Sequence, residues 1–148
     1  MSLRLVLIKE IGVVLGGSQP KPAVLVGIGN LGRALSHYEG FQVSGFPIVG
    51  LVDVDQDVVG KTINGLKVRN LDELEELVAQ TSAVLGIVTT PAIAAQEVVD
   101  CLVEAGIRSI LNFAPVVVDV IDEVEVRRVD LATEFQILGY YDHLRKFD

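Results

Sequence analysis

Between residues 23 and 130, short apolar runs alternate with segments whose apolar positions recur every three or four residues. The runs "AVLVG" (23–27), "PIVGLVDVD" (47–55), "AVLGIVTT" (83–90) and "RSILNF" (108–113) are the length of buried strands. "GLKVRN" (65–70) and "VEVRRVD" (124–130) are weaker strand candidates. Helical spacing predicts helices over 30–38, 71–80 and 92–106, and again over 131–143. In the second, Leu71, Leu74 and Leu77 or Val78 share a face; in the third, Ala95, Val98, Val99, Leu102 and Val103 point inward and Gly106 ends the helix. Residues 3–15 also have roughly helical spacing, followed by a linker at 16–20. Strands alternating with helices predict an α/β fold: a doubly wound, mostly parallel sheet with helices on both faces.

The first strand breaks into Gly27-Ile28-Gly29-Asn30-Leu31-Gly32. Alone, this G-x-G-x-x-G is weak, since it also serves as a packing turn. Its context is more specific: it follows a strand, opens a helix with Asn30 as the expected N-cap, and is answered by Asp53, 21 residues past Gly32. Gly27 would permit the turn, Gly29 the approach of a pyrophosphate, and Gly32 close packing of helix on strand. Free N–H groups at the helix start suit phosphate. Asp53 suits the two hydroxyls of a ribose and opposes a 2′-phosphate, which favours NAD over NADP. "TTPA" (89–92) and "NFAP" (112–115) end later strands at the edge where ligands of such sheets lie.

Composition narrows the picture. The formal net charge of −8 and the lack of a basic cluster beyond Arg127-Arg128 and Arg145-Lys146 argue against nucleic-acid binding by this chain itself. No apolar stretch is long enough for a membrane span and no secretory signal is visible, so the expected setting is cytoplasmic. The one cysteine, Cys101, rules out an intramolecular disulfide and any Cys-paired zinc site, and no metal site is expected. His37 and His143 are the only histidines, and no tyrosine has a lysine four residues on. No catalytic residue is therefore assigned, and the chain is expected not to be an enzyme.

"VGIGNLGRAL", "VDVD", "TTPAIAAQEVVDCLVEAGIRSILNFAPV" and "VDLATEFQIL", in this order, resemble the NAD-binding Rossmann domain of the Rex family, bacterial redox-sensing transcriptional repressors. The resemblance covers about residues 5–143. It implies a homodimer whose last helix reaches across to the partner, and NADH or NAD as cofactor. NADH would release operator DNA, held by an N-terminal winged helix that this chain lacks. By position, the pyrophosphate would lie on Gly27, Ile28, Gly29, Asn30, Leu31 and Gly32, and the adenosine ribose on Asp53 with Val54 and Asp55. Thr89, Thr90 and Pro91, with Asn112, Phe113, Ala114 and Pro115, would line the nicotinamide end, joined by Tyr140. The implied organisation is 1–20, a remnant connecting helix and linker; 21–129, the NAD(H)-binding domain; and 130–148, a C-terminal, exchanged helix. Gln56, Tyr140 and Tyr141 depart from the family's usual residues, a proline and two phenylalanines.

Two other readings stand beside this one. A CoA-binding domain similar to the succinyl-CoA synthetase α-subunit would use the same glycine turn. A small NAD-dependent oxidoreductase would have to borrow its acid and base from a partner.

Overall fold

The computed structural model describes residues 19–130, which build a seven-stranded sheet flanked by helices. In chain order the elements are β1 (Ala23–Val26), α1 (Asn30–Ser36), α2 (Glu39–Val43), β2 (Ile48–Asp53), β3 (Thr62–Ile63) and β4 (Leu66–Asn70). A 3-10 turn (Leu71–Glu73), α3 (Leu74–Thr81), β5 (Leu85–Val88), α4 (Ala92–Glu104), β6 (Ser109–Asn112) and β7 (Glu125–Arg128) follow. The strand order is β3-β4-β2-β1-β5-β6-β7, parallel except for the β3/β4 hairpin. Setting the hairpin arm β3 aside, the parallel strands run third-second-first-fourth-fifth-sixth in chain order, the doubly wound arrangement whose connections reverse direction between β1 and β5.

Alternate residues of the central strands face opposite layers. Val24, Val26, Val52 and Val88 pack with Leu74, Leu77 and Val78 of α3 and Ala95, Val98, Val99 and Leu102 of α4. Ala23, Leu25, Leu51, Ile87 and Leu111 pack on the other side with Leu35 of α1 and Phe41 of α2. Burying both faces explains why these strands are continuous apolar runs rather than alternating ones. Each fully buried aliphatic side chain contributes about 1.5–3 kcal/mol. Both Leu77 and Val78 are buried, and Val103 is only partly so.

The ends of the elements depart from the sequence expectations in identifiable ways. Helix α1 stops at Ser36, and the unforeseen α2 follows, anchored by Phe41, which is buried and meets the Tyr38 ring edge-on at 5.3 Å. The unforeseen β3 turns into β4 through Asn64-Gly65, both at positive φ (49° and 82°), the two-residue turn that suits strand twist. After α4, Ala105 is the C-cap and Gly106 the left-handed residue beyond it. Gly106 N–H donates to the Val103 carbonyl and Ile107 N–H to that of Leu102. The segments 3–15 and 131–143 lie outside the described residues. No described helix is long and apolar enough to cross a membrane.

Candidate functional site

Register aligns the strand ends. Val26 pairs with Val52 on one side and Val88 on the other, so the residues that follow, Gly27, Asp53 and Thr89, meet at the carboxyl edge of the sheet at its switch point.

The three glycines have separate tasks. Gly27 has φ +104°, and a Cβ there would lie 2.8 Å from the Thr89 carbonyl carbon and the Thr90 nitrogen. The turn after β5 can cross the glycine loop only because that side chain is missing. A Cβ on Gly32 would run into the Gly27 carbonyl oxygen, so Gly32 closes the first turn of α1 onto the loop. A Cβ on Gly29 would meet nothing within 4 Å; the loop is open there. Gly29, not Asn30, is the N-cap of α1, and no side chain caps the helix. The physical reason is the backbone. Gly29 has extended ψ and its carbonyl accepts from Arg33 N–H, which makes Asn30 the first helical residue.

Asp53 is bound into this loop. Its Oδ2 accepts from Ile28 N–H at 2.7 Å, and its Oδ1 from Val54 N–H at 2.6 Å and Asp55 N–H at 3.1 Å. Thr89 fastens the other side: its Oγ1 donates toward the carbonyl of Gly27, at 2.6 Å, with that of Val26 at 3.1 Å. Thr90 Oγ1 is buried with no hydrogen-bond partner among the described residues. A buried hydroxyl without a partner is unusual and costly.

These residues line one cleft of about 480 Å³. Gly27, Ile28, Gly29, Asp53, Val54, Asp55, Thr89, Thr90 and Pro91 are brought together there. Asn30, Leu31 and Gly32 form the first turn of α1 beside it. Val26, Val58, Leu71, Ala94, Glu97 and Val98, which the sequence did not single out as site residues, complete the lining. The last three lie at i, i+3 and i+4 on α4, a spacing that names a shared face but not what it faces. Leu71 is held by a turn in which Asn70 Oδ1 accepts from Asp72 N–H and Glu73 Oε2 from Asn70 N–H. The Asn70 amide, then Arg69, hold the Glu73 carboxyl below its usual range.

The second group behaves differently. Asn112 pairs with Val88, one strand farther along the same edge, and is buried. Its amide is used within its own loop: Nδ2 donates to the Val116 carbonyl and Oδ1 accepts from Ala114 N–H, both at 2.9 Å. Phe113 is buried in the α1/α2 layer, Ala114 in the α3/α4 layer, and Pro115 is exposed. None of the four lines the cleft around Gly27. Tyr140 lies outside the described residues.

Among the described residues the lining has three carboxylates, Asp53, Asp55 and Glu97, and no lysine, arginine, histidine, cysteine or tyrosine. It presents hydrogen-bonding backbone and apolar walls, with carboxylates as its ionisable side chains among the described residues. Among the described residues no cluster of His, Cys, Asp and Glu is placed to hold a metal. His37 is exposed at the far end of α1. Cys101, on α4, is partly buried against the core, and burial, then the nearby Glu104, pushes its thiol above the ordinary range.

Comparison with known proteins agrees with this architecture. Residues 18–116 match the family model described as CoA binding domain, and the chain belongs to that family. Within it, the chain is homologous to the NAD-binding domain of the Rex redox-sensing repressors. It is 47% identical over 136 residues to the redox-sensing transcriptional repressor Rex of Streptomyces coelicolor, covering 92% of this chain and 53% of that protein. Among solved structures it is similar to RSP, a Rex-family repressor. The complex with NADH superposes with a TM-score of 0.78 at 29% identity, covering 97% of this chain and 68% of that one. The complex with NAD+ and operator DNA gives 0.77 at 31%, covering 90% and 61%. The chain spans about half the length of the curated relative it matches.

Proposed function

We propose that this chain is the NAD(H)-binding sensor part of a Rex-type repressor, reporting the NADH/NAD+ ratio through the geometry of a homodimer. The carrying observation is the open loop at Gly29 beside an Asp53 already fastened to Ile28. Backbone N–H groups of the loop would hold the pyrophosphate and Asp53 the adenosine ribose, with Val54 and Asp55 beside it. Thr89, Thr90 and Pro91 would lead toward the nicotinamide, and Asn112, Phe113, Ala114 and Pro115 would shape its far end. The bound dinucleotide supplies the redox state that is read; this chain's residues bind and orient it. The 47% identity to a redox-sensing transcriptional repressor supports a sensor rather than an oxidoreductase.

Residues 131–143 would form the exchanged helix that joins two subunits, with Tyr140 near the partner's nicotinamide site. The support is the family resemblance and the position of β7, the last described strand and an edge of the sheet among the described residues. Operator DNA would be contacted only by a winged-helix domain outside this chain, in a cytoplasmic setting. Light scattering and small-angle X-ray scattering with NADH and with NAD+ test the proposal, alongside a chain ending at Asp130. A dimer that changes shape between the two ligands and dissociates on truncation is expected. A truncated chain that stays dimeric and binds NADH normally would refute the exchanged helix.

The family model's description gives a second reading, a CoA site. CoA shares the ADP portion but carries a phosphate on the ribose, which would have to lie near the Asp53 carboxylate.

A further inference from the structure

We propose that Glu97 is a second selectivity determinant of the cleft, acting against any ligand whose adenosine ribose carries a phosphate at the 2′ or 3′ position. This rests on the adenine-dinucleotide reading above, since it takes the glycine loop as the seat of the pyrophosphate.

The placement of Glu97 is the first support. It lies on the second turn of α4, the helix that follows β5, while Asp53 and Asp55 stand at the end of β2. Strand β1 runs between β2 and β5. The cleft is therefore bounded by carboxylates from both sides of β1, where the glycine motif and its acid account for only one side.

The charge balance is the second. None of the lining residues is a cation. Asp53 accepts three backbone N–H groups, and Asp55 accepts from Asp57 N–H at 2.9 Å. Glu97 accepts no hydrogen bond and joins no ion pair among the described residues, while its neighbours Gln96 and Asp100 pair with each other at 2.9 Å. Glu97 is thus an exposed residue of the cleft lining with no hydrogen-bond or ion-pair partner among the described residues.

The pyrophosphate of a dinucleotide can be met by backbone N–H groups at the glycine loop. A further phosphate on the ribose adds about 1.5–2 negative charges with no donor set to receive it. Partly screened repulsion over several ångströms changes affinity by roughly three- to tenfold per facing charge. Because NADH is itself anionic, removing Glu97 helps every nucleotide somewhat. The ratio between matched ligands is the informative quantity.

The test is fluorescence titration with NADH and NADPH, and competition with dephospho-CoA and CoA, which differ only by the 3′-phosphate. The chains are wild type, Glu97→Gln and Glu97→Lys, both good helix formers at an exposed position. The NADPH-to-NADH affinity ratio should rise about three- to tenfold in Glu97→Gln and further in Glu97→Lys. The CoA-to-dephospho-CoA ratio should move the same way, and both effects should shrink in 0.5 M salt. Ratios unchanged in Glu97→Lys would overturn the assignment. A wild-type chain that binds dephospho-CoA but not NADH would overturn the dinucleotide reading alone, and the CoA pair would still decide the role of Glu97.

Discussion

Asp53 Oδ2 accepts the amide hydrogen of Ile28 at 2.7 Å, across 25 residues of chain. The carboxylate expected to hold a ribose thus also holds the glycine loop in place. Asparagine cannot do both, because its Oδ1 can meet either Ile28 N–H or the Val54 and Asp55 N–H pair, which leaves its NH₂ against a backbone donor. Asp53→Asn should therefore weaken NADH binding nearly as much as Asp53→Ala, by about 1.5–3 kcal/mol. Calorimetric titration checks this. An asparagine variant close to wild type would show that the loop does not depend on the carboxylate.

Two glycines of one motif should respond in opposite ways. Gly29→Ala adds a Cβ into open space at a negative φ, so the fold should keep its stability within about 0.5 kcal/mol while NADH affinity falls at least tenfold. Gly32→Ala drives a Cβ into the Gly27 carbonyl and should lower stability by at least about 1–3 kcal/mol. Thermal melts paired with NADH titrations separate the two. Equal losses of stability would contradict the division of labour described above.

Thr90→Val tests the buried hydroxyl without a partner. The replacement has nearly the same shape and removes a polar atom that no described residue satisfies. The free protein should gain about 1 kcal/mol, and NADH binding should weaken. A variant that loses stability would mean that the hydroxyl already has a partner in the free protein.

Glu73 makes stability depend on pH. Its carboxyl is held below the usual value of 4.5 by the Asn70 N–H and Arg69, so the folded state favours the charged form. That contribution is complete above the unfolded pKa and is lost as the pH falls through the lower folded value. Glu73→Ala should melt at a lower temperature than wild type at pH 7, and the difference should narrow below about pH 4.5. A difference that is constant from pH 7 to pH 3 would remove the charge from the explanation.

Much of this was legible in the chain. The four central parallel strands came from apolar runs bounded by turn residues, because a strand buried on both faces needs apolar residues at every position, whereas β4 and β7 carry charged residues and were weaker candidates. Gly27, Gly29, Gly32 and Asp53 were legible because their spacing is fixed by one strand–turn–helix unit and its neighbour. Features that depend on distant packing were not. Asn30 has the chemistry of an N-cap, and only the backbone of Gly29 displaces it. Asn112 carries a polar group out of a buried strand, but that its partners are Val116 and Ala114 depends on how the following loop folds back. Glu97 is an ordinary exposed helix residue until β1 and β2 set the glycine loop and Asp53 opposite α4. The Asn64-Gly65 pair did carry a local hairpin signal, and β3 follows from it.

The most direct measurement is calorimetric titration of the chain with NADH and, separately, with CoA. Saturable NADH binding at one site per chain is expected, weakened at least tenfold in Gly29→Ala, with CoA weaker than NADH by at least tenfold. Tight CoA binding with no response to NADH would contradict the account.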